Sequence, residues 1–144
     1  MDLSPKHSEA RLEAQRLPAL SASLALLVED TTAATIALYG TAKPPPGDPP
    51  GADPLAVFTL SSAAGTVDED LYQIQLAVPI EAQITGADPE TGTEALWGRV
   101  FDGAGDWWGD ATVSDESGDG EIKLQTTALL NGAFCRITSG VFQG

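Results

Sequence analysis

Residues Ala95–Phe142 read ALWGRVFDGAGDWWGDATVSDESGDGEIKLQTTALLNGAFCRITSGVF. Short apolar runs alternate here with Asp-Gly, Gly-Asp and Asn-Gly dipeptides. Such dipeptides between β-type runs signal hairpins, because their residues tolerate the backbone angles that tight turns demand. All three tryptophans, the only cysteine and three of the four phenylalanines lie in this stretch. It is therefore expected to form the core of a β fold.

Working outward, further strands are expected at Thr35–Tyr39, Leu55–Leu60 and Leu71–Ile80. In the last, Ile74, Leu76, Val78 and Ile80 alternate with Gln73, Gln75, Ala77 and Pro79, the period of a half-buried strand. Within the opening stretch the runs are Leu96–Phe101, Trp107–Val113, Glu121–Thr126 and Phe134–Thr138, with a short last one at Val141–Phe142. The expected fold is mainly β: an antiparallel β-sandwich of seven to eight strands with an N-terminal helical arm. The arm covers residues 1–30 and the sandwich domain residues 31–144.

The arm begins with Ser4 as N-cap and Pro5 at the first helical position. Pro18 is expected to kink this helix or open a second one, because its ring opposes a continuous helix. Leu17, Leu20, Leu24 and Leu27 then recur on one stripe, which packs either on the chain's own sheet or on a neighbouring subunit. Residues 43–54, KPPPGDPPGADP, hold six prolines, which lack the donor a sheet interior needs. They form a surface loop, either a connector or a semi-rigid arm laid on a neighbour through Pro44, Pro45, Pro46, Pro49 and Pro50. The segment 86–94 reads as an acidic loop.

The 144 residues, with 15 Gly and 10 Pro, fit one turn-rich domain. Net charge is −14, with 21 acidic and 7 basic residues. Residues 1–28 carry three of each sign, so the whole excess falls on the remainder. A body this acidic repels phosphate backbones and anionic membranes, and neither nucleic acid nor membrane is an expected partner. No apolar run is long enough to span a bilayer.

Catalysis finds no inventory. His7 and Cys135 are single residues at opposite ends of the chain, and no nucleophile-elbow pattern is present. Cys135 alternates with Ala133 and Ile137 and is expected in the core. Residues 115–121, DESGDGE, imitate the opening of a calcium loop, but the position that needs a bidentate carboxylate falls on Thr126. No metal or cofactor is expected, and the protein is read as a non-enzyme. Successive strand residues face opposite ways, so at most one of Trp107 and Trp108 enters the core. The other is left for a protein contact or for sugar stacking.

Several pieces resemble a pattern in small virion proteins of tailed bacteriophages. They are the strand ending at Tyr39-Gly40, Ala95–Arg99, the Asp102–Gly105 turn, Gly109-Asp110 to Asp119, and Leu124–Ser139. The resemblance spans about residues 34–142; a proline-containing loop after the first strand belongs to the pattern but is longer here, and the second tryptophan departs from it. It implies a non-enzymatic structural protein located in the virion and assembled in the host cytoplasm. The leading expectation is a head decoration or cement protein that bridges copies of the major capsid protein as a homo-oligomer, a trimer first. The alternatives are a tail, baseplate or fibre component contacting other virion proteins, or a carbohydrate-binding module using Trp107 and Trp108.

Overall fold

A computed structural model describes all residues, Met1–Gly144. One α-helix, α1 (Pro5–Val28), precedes eleven strands. Ser4 caps it as expected: its Oγ accepts from the His7 amide at 3.2 Å. The arm is one continuous helix, not two, with Pro18 inside it. Pro18 and Ala14 are both exposed, so the Ala14 carbonyl that loses its donor can turn to water. The helix is not long and apolar enough to cross a membrane.

The strands are β1 (Thr35–Tyr39), β2 (Ala56–Thr59), β3 (Gly65–Asp68), β4 (Gln73–Leu76), β5 (Ile80–Gln83), β6 (Thr93–Glu94), β7 (Trp97–Phe101), β8 (Trp107–Asp115), β9 (Ile122–Leu124), β10 (Ala128–Leu129) and β11 (Phe134–Gln143). Eight of them form one curled sheet in the order β2-β1-β7-β8-β9-β11-β4-β3, and β5 joins on the first half of β11. β6, at the end of the expected acidic loop, pairs with β10 in a separate two-stranded ribbon. The sheet is mixed rather than wholly antiparallel, because β8 and β9 run parallel. It curls as a half-barrel in place of two clearly separate layers.

The curl has a local cause. The amides of Thr85 and Gly86, just past β5, donate to the Leu55 carbonyl before β2 at 3.0 and 3.1 Å. The two ends of the path β2-β1-β7-β8-β9-β11-β5 are thereby tied together. A Cβ at Gly86 would collide with the Pro54 carbonyl oxygen, so only glycine permits this approach.

β3, β6 and β10 lie outside the expected strands, and two of the expected assignments change. The run Leu71–Ile80 breaks into β4 and β5 at Ala77–Pro79, because Pro79 cannot donate to a ladder. Ile74 and Leu76 stay buried, while Val78 is exposed. Gln73, expected on the polar face, is buried and accepts from Gln143 Nε2 at 2.7 Å. Conversely, the two short strands expected after Phe134 are a single ten-residue strand. β11 can serve both β5 and β4 because its two halves pair with different neighbours.

The concave side holds the core. Register sets Phe58 opposite Ile36 and Ile36 opposite Val100. With Leu38, Ile122, Leu124, Leu129 and Ile137 they are wholly enclosed. α1 contributes Leu27 to the same cluster, with Leu24 against it, and Leu20 is also buried. The leucine stripe thus packs on the chain's own sheet.

Candidate interaction surface

The convex face of β1, β7 and β8 carries a second, smaller cluster, and strand register builds it. Tyr39 pairs with Trp97, and Ala37 pairs with Arg99, which pairs in turn with Asp110. The Tyr39 and Trp97 rings stack with centroids 4.7 Å apart. Arg99 lies beside them, its guanidinium carbon 5.3 Å from the Trp97 ring centre and 6.0 Å from that of Trp107. Its Nε and Nη2 donate to the two Asp110 oxygens at 2.7 and 3.0 Å. Both side chains are almost fully enclosed, at 6% and 3% exposure.

This is a two-pronged, charge-assisted pair in a partly apolar setting. Burial alone would raise the Asp110 carboxyl, but hydrogen bonds from Arg99 and Trp107, with the Arg99 charge, hold it below its ordinary value. The Asp110 bond pushes the Arg99 guanidinium up, against the effect of burial. Tyr39 is raised by burial. The Trp97 indole N–H is buried without an acceptor. The cluster is closed on itself and presents no free nucleophile or base.

The proline loop covers part of this cluster. Its turn closes through the Asp48 amide, which donates to the Pro45 carbonyl at 3.1 Å. Gly47, at φ +81°, lies against the Trp107 ring, which an added Cβ would meet at 3.4 Å. Pro44 and Pro50 are half-buried, and Pro45, Pro46 and Pro49 are exposed. Part of the loop's packing is thus spent within the chain.

The tryptophan pair divides between the two sides of β8, and a β-bulge decides which goes where: Val100 pairs with Gly109 and Phe101 with Trp107, so Trp108 is the extra residue and Trp107 shares the face of Asp110. Trp107 is 48% exposed and donates its indole N–H to Asp110 Oδ1 at 3.1 Å. Trp108 turns toward α1, donates to the Ser23 carbonyl at 2.9 Å, and sits 5.3 Å from Phe142. Between α1 and the sheet both indoles border a cleft of about 540 Å³, with Leu12, Ala19 and Leu26 on its helical wall. Arg16 and Asp102 also line it. Of the leucines expected as contacts, Leu20 lines the cleft, Leu27 belongs to the core with Leu24 packed against it, and Leu17 is half-buried.

Other candidates resolve differently. Cys135 is buried, and burial pushes its thiol up to about 11. His7 is exposed in the first turn of α1. The Asp115 carboxylate accepts from Ser117 Oγ and from the amides of Ser117 and Gly118, so it closes its own turn. Asp102 does the same for Ala104 and Asp106. No group of three or more His, Cys, Asp or Glu side chains is placed to hold a metal ion.

Sequence reasoning missed the Arg99–Asp110 pair and the exposed helical flank at Leu12 and Leu26. A lone arginine inside an apolar run was the available signal for the pair, but its acceptor is defined only by the β7–β8 register. The seven-residue spacing of Leu12, Ala19 and Leu26 was legible, though overshadowed by the stronger leucine stripe beside it. Compared with protein-family models, curated proteins and solved structures, the chain gives no significant match.

Proposed function

We propose that this chain is a non-enzymatic virion structural protein of a tailed bacteriophage, acting as a head decoration protein that bridges copies of the major capsid protein. The observation that carries the reading is where the reactive and aromatic groups are used. Arg99 and Asp110 close on each other, Cys135 is buried, and Trp108 holds the helix down, while large apolar side chains remain exposed at Leu12, Leu26 and Trp107. Such an inventory suits association with other proteins better than turnover of a substrate.

In this reading the curled sheet is a variant of the antiparallel sandwich that the sequence suggests. The protein acts as a homo-oligomer in the virion, a trimer at local threefold positions being the arrangement the resemblance implies. Each contact is weak, and repetition over the shell multiplies it. Quantitative mass spectrometry of purified particles tests the role. Hundreds of copies per particle are expected; a few copies would place the protein at a vertex, tail or baseplate and overturn decoration.

The exposure of Trp107 beside the Asp110 carboxylate favours one other reading, sugar stacking. Under it, Trp107→Ala abolishes glycan binding with folding intact. Under the decoration reading, wild type and variant alike bind no glycan, and the change weakens incorporation into particles.

A further inference from the structure

Leu12, Ala19 and Leu26 form a straight flank of α1, and Leu20 and Leu27, each one residue after a flank position, are buried against the sheet. Seven residues make almost two helical turns, so the three stay in line, as in a coiled-coil seam. Leu12 and Leu26 are 62% and 49% exposed, and Ala19 is exposed between them. From Leu12 to Leu26 the flank is about 21 Å long.

We propose that a second copy of this chain docks on this flank, α1 against α1, antiparallel about a twofold axis at Ala19. Positions equidistant from residue 19 then meet: Leu12 packs on the partner's Leu26, Leu26 on the partner's Leu12, and the small Ala19 on the partner's Ala19. A small residue at the crossing lets the helices approach closely, and the contact is self-complementary, as a twofold interface must be.

Charge selects the same arrangement. The cleft that the flank lines also has Arg16 in its lining, near the middle of the helix and on the N-terminal side of Ala19, held 5.2 Å over the Tyr72 ring and in no ion pair. Asp102 lines the same cleft with Trp107 and Trp108, and Trp108 bonds Ser23, toward the other end. Antiparallel docking brings the partner's Asp102 toward Arg16, whereas parallel docking sets Arg16 beside the partner's Arg16. Glu9 meets the partner's Glu29 at the outer ends; both are exposed, so salt screens that repulsion. The contact does not depend on a virion role: the threefold arrangement implied by the resemblance concerns the shell, whereas this twofold contact pairs two copies in solution.

Sedimentation of the full chain and cysteine cross-linking test this. The expected species has twice the 14.9 kDa chain mass. Ala19→Cys is expected to form a disulfide with itself under mild oxidation. Leu12→Cys and Leu26→Cys are expected to cross-link when mixed, and neither alone. Cys135 is buried and does not compete. Leu26→Glu is expected to weaken the dimer by about 100-fold or more, with circular dichroism unchanged. A monomer at every concentration, a trimer, or a Leu12→Cys self-cross-link would overturn the proposal. So would a monomer whose cleft instead takes up an apolar dye. A dimer with few copies per particle leaves this contact standing and removes the decoration role.

Discussion

Arg99 and Asp110 face each other across β7 and β8, joined by two hydrogen bonds and almost wholly enclosed on the convex side of the sheet. The pair ties two strands to the proline loop, because Asp110 also receives the Trp107 indole N–H and Trp107 packs on Gly47. Removing one partner leaves a buried charge uncompensated, which costs more than the pair itself contributes. Asp110→Asn and Arg99→Met are each expected to lower stability by about 3–5 kcal/mol. Urea titrations followed by tryptophan fluorescence measure this, and a loss below about 1 kcal/mol, the value of an exposed pair, would refute burial of the charges.

Acid should find the same pair. The folded Asp110 carboxyl lies below its unfolded value. Its stabilisation is therefore complete above the unfolded carboxylate value, about 3.9, and is lost as pH falls through the folded value. Asp88 and Asp115 are lowered by hydrogen bonds from their own loops and act with the same sign. Wild type should lose stability below about pH 4, and Asp110→Asn should lose it less steeply. Thermal midpoints across acidic pH give the comparison; parallel curves would exclude Asp110 as a contributor.

Cys135 carries the opposite sign. Burial raises its thiol to about 11, so the folded state holds the proton more tightly than the unfolded state. The associated stabilisation is complete below the unfolded thiol value and is lost as pH rises through the folded one. Thiol-specific reagents at mildly alkaline pH should react slowly with native protein and quickly in denaturant. Equal rates would show that Cys135 is accessible.

Docking of α1 rests on Leu27 in the core and on the Trp108 bond to Ser23. Leu27→Ala is expected to cost about 2–5 kcal/mol, through lost burial and the cavity left behind. Trp108→Phe, which keeps a ring but loses the donor, should cost about 1 kcal/mol. Amide exchange in α1 should quicken in both. Unchanged helix protection in Leu27→Ala would mean that the helix is held elsewhere.

The sequence by itself determined the local elements. Ser4-Pro5 marks the helix start, and the turn dipeptides between apolar runs mark the β-rich body. Cys135 and the leucine stripe were legible too, since periodicity states which side chains share a face. Only the tertiary structure decided the rest. The parallel β8–β9 pair, the tie from Leu55 to Thr85 and Gly86, and the Arg99–Asp110 bond all depend on which distant strands become neighbours. Pattern along one strand carries no information about its partner or register, and a shift of one residue would have put Arg99 in the core.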